Sequence, residues 1–161
     1  MKYYACDTSA LSKRYHSERS SPFMIKLTDD VLETAPHRLV ATRLIVAEIV
    51  SVLKRRFNSH SMTNGQLAAS LQSLNTDTAI MSGIAMDDDT IDAAHSIILR
   101  HNLNSSDAIF LYQCTQAATA LRQFGNELVL VASDSRLLRA ASGEGLAVLN
   151  PETDDQTGLE I

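Results

Sequence analysis

Short apolar runs suited to strands alternate along the chain with longer stretches whose apolar residues recur at helical spacing. Lys2 to Cys6 reads as a strand closed by Asp7, and Thr8 and Ser9 offer caps for a helix through Leu11 and Tyr15. A helical stretch follows from Pro22 to about Thr34, with proline suited to the first turn. Arg38 to Ala41 is the second candidate strand. Thr42 can cap a helix carrying Leu44 to Phe57, and Thr63 with Gln66 has the spacing of a capping box for the next. Ile80 to Met86 could hold a short strand. Asp87, Asp88 and Asp89 then head a helix that ends near His101. Ser105 or Ser106 can cap a helix from Asp107 towards Phe124, stopped at Gly125. Glu127 to Ala132 (ELVLVA) is the clearest strand. A helix from Ser135 to Ala141, a turn at Gly143-Glu144-Gly145 and a last strand, Leu146 to Leu149, complete the pattern.

Strands alternating with helices predict an α/β fold, a three-layer sandwich with a central parallel sheet flanked by helices. With no internal repeat and no linker, residues 1–151 are expected to form one domain, followed by a frayed polar tail over 152–161.

Composition narrows the function. The 161 residues are 45% apolar and 20% charged, ordinary for a globular protein with a proper core. The net charge of −5 argues against a protein that coats nucleic acid through bulk charge, so any such contact must rest on local patches. Cys6 and Cys114 lack metal-ligand spacing and read as buried free thiols, which favours a reducing, cytoplasmic setting. The first twenty residues hold no apolar stretch long enough for a signal peptide or a membrane span.

Of nineteen acids, four have a physical reason to stand apart. Asp7 and Asp134 each end an apolar strand, and in open α/β sheets ligands bind at the carboxyl ends of the strands. Each could also simply cap the following helix. Glu48 lies in LIVAEIV, where a helix apolar all round would be buried and its carboxylate would need a cation or a partner such as Arg43. Asp107 falls in the first turn of a helix, where the helix dipole alone favours an acid. Four carboxylates within about 5 Å would repel by roughly 3 kcal/mol per pair at an effective dielectric near 20, which calls for protonation or a divalent cation. Oxygen ligands without histidine or thiolate point to Mg²⁺ or Mn²⁺, and such sites serve phosphoryl hydrolysis.

The segments CDTSALSKRY, VAEIVSVLKRR, NSSDAIFLYQC and VASDSRLL resemble the PIN domain, most closely the VapC-type toxins of bacterial toxin–antitoxin pairs. The resemblance extends from Lys2 to about Pro151. It implies a PIN fold, a divalent metal and endonucleolytic cleavage of RNA. Carried over residue by residue, it makes Asp7, Glu48, Asp107 and Asp134 the catalytic and metal-binding acids, with Asp7 and Asp107 the principal ligands. Thr8, Ser9 and Ser133 match hydroxyl positions that orient a carboxylate or a water. Water activated by the ion would attack in line, leaving a 5′-phosphate and a 3′-hydroxyl. An antitoxin partner and a homodimer follow from the same resemblance, the apolar face of Phe23 to Leu32 being one surface for the latter.

Basic residues suited to RNA phosphates are Lys13, Arg14, Lys54, Arg55, Arg56 and Arg136, although Lys54 to Arg56 also suit a helix C-terminus. The run Asp87 to Asp89 reads as a solvated first turn, His95 as a packed or rim residue, and Phe23, Met24 and Phe110 as core or interface. No phosphate-binding loop of the GxxxxGK kind occurs. Three rivals remain. A receiver-like phosphoacceptor domain wants an acidic pair near the first strand and a late lysine, but Asp7 stands alone and no lysine follows Lys54. A DxD phosphatase would need an acid where Ser9 stands. A PIN-like scaffold that binds RNA or a partner without cleaving would fit the same fold.

Overall fold

The computed structural model describes residues 1–154. The chain runs β1 (Lys2–Cys6), α1 (Thr8–Leu11), a 3₁₀ turn (Ser12–Arg14), α2 (Ser21–Thr34), a second 3₁₀ turn (Pro36–Arg38), β2 (Leu39–Thr42) and α3 (Arg43–Asn58). It continues through α4 (Asn64–Thr78), β3 (Ser82–Ile84), α5 (Asp88–His101), α6 (Ser105–Arg122), β4 (Glu127–Val131), α7 (Ser135–Gly143) and β5 (Ala147–Leu149). The part of the expected tail beyond residue 154 lies outside the described residues; residues 150–154 form a turn closed by the Asn150 amide donating to Asp154 at 2.7 Å.

The five strands make one all-parallel sheet in the order β3-β2-β1-β4-β5. Right-handed crossovers then place α1 to α4 over one face and α5 to α7 over the other. Packing agrees: α3 lies against α1 and α4, and α6 against α5 and α7. Both faces are therefore covered, which is why Tyr4, Ala5 and Cys6 are all buried in succession where a one-sided strand would alternate. The strand order reverses between β1 and β4, which pair from Lys2–Glu127 to Cys6–Val131. The Asp7 amide extends that pairing by donating to the Val131 carbonyl at 2.9 Å. This reversal is the topological switch point, where a crevice opens beyond the strand ends.

Several local expectations are met. Thr42 caps α3 by accepting from the Ile45 amide, and Thr63 with Gln66 forms a reciprocal capping box. Asp87 caps α5, so the three consecutive acids are a solvated helix start. Gly125, at φ 69°, follows α6 in a conformation that suits a residue without Cβ. Two caps differ from expectation. α1 is capped by Asp7 itself, which accepts from the Ser9 amide, and α6 by Asn104, not by Ser105 or Ser106. In each case the acceptor sits one or two residues earlier, where extended backbone leaves its side chain free to turn back on the first turn.

Most of the apolar face of α2 expected to serve a dimer is turned inward, with Phe23, Met24, Leu27 and Val31 buried in the chain's own core and Ile25 exposed. Phe110 is likewise core, whereas His95 is exposed. Cys6 and Cys114 are free and fully buried, and burial lifts the Cys6 thiol to about 12. Among the described residues, no helix is long and apolar enough to cross a membrane.

Candidate active site

At the switch point a cleft of about 460 Å³ is lined by Asp7, Glu48, Asp107 and Asp134, together with Thr8, Ser9, Ser12, Ser51, Arg55, Asn104 and Ser106. Four separate segments thus deliver one acid each. Asp7 leaves β1, Asp134 leaves β4, Glu48 comes from α3 on one face of the sheet, and Asp107 from the start of α6 on the other.

Each carboxylate is held by its own local structure. Asp7 is 6% exposed; its Oδ2 accepts from the Ser9 amide at 3.0 Å and the Ser9 hydroxyl at 2.6 Å. Ser9 Oγ in turn accepts from the Ser133 amide at 2.9 Å, which fastens the two strand ends to each other. Ser133 therefore contributes its backbone; among the described residues its hydroxyl bonds none of the four acids. Thr8 donates its hydroxyl to Glu48 Oε2 at 2.5 Å, tying the first segment to α3. Asp134 caps α7, accepting from the Arg136 and Leu137 amides at 2.7 and 3.3 Å. Asn104 caps α6 and also donates to Asp107 Oδ2 at 2.9 Å, while accepting from the Asp107 amide at 2.8 Å. Asn104 was not singled out from sequence. Its signal was there, since Asn at the cap with an acid three residues on has capping-box spacing.

Glu48 is half-buried, not enclosed. Only Ile45, Ile49 and Leu53 of α3 are buried, and Ala47 and Val50 face outward, so the apolar surroundings in sequence do not make an apolar surround in space. Arg43 makes no ion pair with it; it lines a different pocket with Thr42 and Met81.

The electrostatics register the convergence. Burial pushes the Asp107 carboxyl up to about 6, and Asp7, Asp134 and Glu48 push in the same direction, against a smaller opposing effect of Arg136. Burial also raises Asp7, against the two Ser9 hydrogen bonds and the Thr8 amide, with Glu48 adding to the rise. The cleft is therefore short of positive charge. Among the described residues, no three His, Cys, Asp or Glu side chains stand as a ready-made ligand set. The donor chemistry nevertheless fits a hard cation. Mg²⁺ commonly keeps several waters and takes only one or two carboxylates, so a preformed cage is not required.

The basic residues divide sharply. Lys13 is buried and pairs with Glu18 and Glu152 at 3.2 and 2.7 Å. Arg14 is spent on Asp77 and Asp29, each at 2.6 Å, and on Thr28 at 2.7 Å. Both were candidate phosphate contacts; both instead tie the first 3₁₀ turn into the interior, because burying a cation demands a partner. Arg56 pairs with Glu18 at 2.8 Å and points away from the cleft, and Lys54 lies 4.5 Å above the Phe57 ring. Arg55 alone of that run lines the cleft, two helical turns beyond Glu48. Arg136 stands at its margin, exposed, 3.6 Å from Asp134 Oδ2.

No curated protein sequence matches the chain. Solved structures with the same fold include PAE2754 from Pyrobaculum aerophilum (TM-score 0.63, 19% identity, 93% of this chain and 90% of that one). A toxin–antitoxin complex from Klebsiella pneumoniae (0.57, 16%, 92% and 97%) and FitAcB from Neisseria gonorrhoeae (0.55, 15%, 92% and 97%) are similar as well. At such identities the likeness speaks for the fold. The family model for the PIN domain matches residues 4–143, a span that holds all four cleft acids, the second half of β1 and the whole of β2, β3 and β4. With sheet order, switch-point cleft and family model in agreement, this chain belongs to the PIN domain family.

Proposed function

We propose that the protein is an Mg²⁺- or Mn²⁺-dependent endoribonuclease acting at the four-acid cleft, and that it is the toxin of a toxin–antitoxin pair. The observation that carries the nuclease reading is the convergence of Asp7, Glu48, Asp107 and Asp134, from four distant segments, on one open cleft. Asp7 and Asp134 also cap helices, but capping does not call for Glu48 and Asp107 beside them, and the mutual repulsion of the four favours a cation. PIN domains are generally nucleases. The toxin role and a protein antitoxin rest on the kinship of fold with the toxin–antitoxin complex from Klebsiella pneumoniae.

Asp7 and Asp107 would hold the ion, with Glu48 and Asp134 completing its surroundings. When bound, the cation would supply an acidified water and offset the charge on the phosphate oxygens. The chain's own part is positioning. Thr8 fixes the Glu48 carboxylate, Ser9 fixes Asp7, and Asn104 fixes Asp107. Arg55 lines the cleft with no ion pair among the described residues, which supports it as the contact to a phosphate of the bound strand. Arg136 could take another. A non-cleaving scaffold would not need these carboxylates oriented one by one.

The test is product chemistry. Purified protein with Mn²⁺ should cut a mixed cellular RNA to fragments bearing 5′-phosphate ends, and its expression should arrest growth. Fragments with 5′-hydroxyl ends, or metal binding with no cleavage of any RNA, would contradict the proposal; the latter would favour the scaffold.

A further inference from the structure

Beside the acid cleft lies a second pocket, of about 290 Å³, lined in part by Tyr15, His16, Ser17, Arg56, Met62 and Gln66. It borders the cleft along two elements. Ser12 lines the cleft, and Tyr15, one 3₁₀ turn on and so about 6 Å away, lines the pocket. Arg55 and Arg56, consecutive on α3, face the cleft and the pocket respectively. A strand lying across the acids would therefore have neighbouring nucleotides within reach of this pocket.

His16 sets the pocket apart. It is 9% exposed, and neither ring nitrogen makes a well-formed hydrogen bond among the described residues, the Ser17 backbone exerting only a minor pull on the ring. Nε2 stands 3.9 Å from Glu18 Oε1, beyond bonding reach. The Glu18 oxygens are already taken, by Lys13 at 3.2 Å and Arg56 at 2.8 Å. Buried polar groups are rarely left short of partners, so this ring has bonding capacity to spare for a ligand. Burial pulls the imidazole below its usual pKa, against the opposing pull of Glu18, and a neutral imidazole carries one N–H donor and one lone pair.

The rest of the pocket says what that partner is. Gln66 spends its carbonyl oxygen on the Thr63 amide at 2.8 Å, which leaves its NH₂ as a donor. Met62 and Ala69 give an apolar wall. Arg56 and Lys13 are the cations at hand, and both are paired with carboxylates, so a bare anion finds little net attraction. Neutral donors and an acceptor beside an apolar wall suit a nucleobase edge, read as bases in single-stranded RNA are read.

We infer that this pocket is a nucleotide subsite, in which the base of a residue flanking the cleaved bond is held by His16 and Gln66 against Met62. The inference rests on the ribonuclease reading above and gives that enzyme a means of sequence preference.

The full chain, without divalent metal, is titrated separately with the four ribonucleoside 5′-monophosphates and with inorganic phosphate while the His16 ring resonances are followed. One or two nucleotides should shift the ring saturably and at least ten-fold more tightly than the others, and inorganic phosphate should not. Gln66→Glu keeps the oxygen that caps Thr63 but loses the NH₂, and should weaken the preferred nucleotide about 3- to 10-fold, the loss of one hydrogen bond. Equal shifts by all four nucleotides, the same shift by inorganic phosphate, or an unmoved ring would each overturn the subsite. RNA cleavage is scored separately: cleavage with an unmoved ring sinks the subsite alone, and a selective shift without cleavage sinks the ribonuclease reading alone.

Discussion

Ser9 and Ser133 lie 124 positions apart, yet the Ser133 amide donates to Ser9 Oγ at 2.9 Å while the same hydroxyl donates to Asp7 Oδ2 at 2.6 Å. One hydroxyl thus fastens β1 to β4 and aims an acid into the cleft. Ser9→Ala leaves the Ser133 amide and Asp7 each short of a partner. Stability should fall by about 1–3 kcal/mol in urea titration. The Asp7 carboxyl should also titrate higher than in the native protein, since the Ser9 hydrogen bonds oppose the upward push of burial.

Thr8 does for Glu48 what Ser9 does for Asp7. Thr8→Val should lower Mn²⁺ affinity by roughly 10- to 100-fold, the usual cost of losing a group that orients a metal ligand. Thr8→Ser, which keeps the hydroxyl, should restore most of it. Calorimetric titration of the two variants distinguishes orientation from simple loss of packing, because Thr8→Val keeps the shape and loses the donor whereas Thr8→Ser keeps the donor and loses the methyl.

Asp107 gives a pH prediction. Its folded carboxyl titrates near 6, above the ordinary value of 3.8. Between those values the unfolded chain releases this proton while the folded chain keeps it, so stability falls as pH rises from about 4 to about 6. Without divalent metal, Asp107→Asn should therefore raise the melting temperature at pH 7. The gain should vanish below about pH 4, where the native acid is protonated in both states. A melting temperature for this variant below the native one at pH 7 would contradict the crowding of the acids.

Much of this was legible in the sequence. Asp7 and Asp134 could be found because a strand end is a local signal and the parallel sheet then fixes where it points. Thr42 and the Thr63–Gln66 box were legible for the same reason: caps are written in a few adjacent residues. What could not be read was anything set by distant partners. Glu48 was singled out on the assumption that apolar neighbours in sequence enclose it in space, but α3 buries only one stripe and Glu48 sits at the cleft's edge. Lys13 and Arg14 looked like surface cations because Glu152, Asp29 and Asp77, which claim them, are 139, 15 and 63 positions away. Asn104 was passed over because two serines after it offered the same capping chemistry.

The division among the basic residues is itself testable. Arg14→Ala strands Asp77 beside Tyr15 and should cost about 3–5 kcal/mol of stability, as the breaking of a buried pair does. Arg55→Ala should leave stability within about 0.5 kcal/mol of native, as exposed substitutions do. It should instead weaken binding of a single-stranded RNA and reduce the slope of log affinity against log salt by about 0.7, one phosphate contact. Salt-dependent binding measured in the cleavage-deficient Asp7→Asn background separates the two.

The most direct measurement compares native protein with Asp7→Asn on end-labelled RNA, with Mg²⁺ or Mn²⁺ and with chelator, after urea titration has established that both are folded. The four-acid account predicts metal-dependent cleavage by the native protein and a rate at least about 100-fold lower for the variant, beyond what loss of an orienting group alone gives. Cleavage by Asp7→Asn at the native rate, or native cleavage undiminished by chelator, would contradict it.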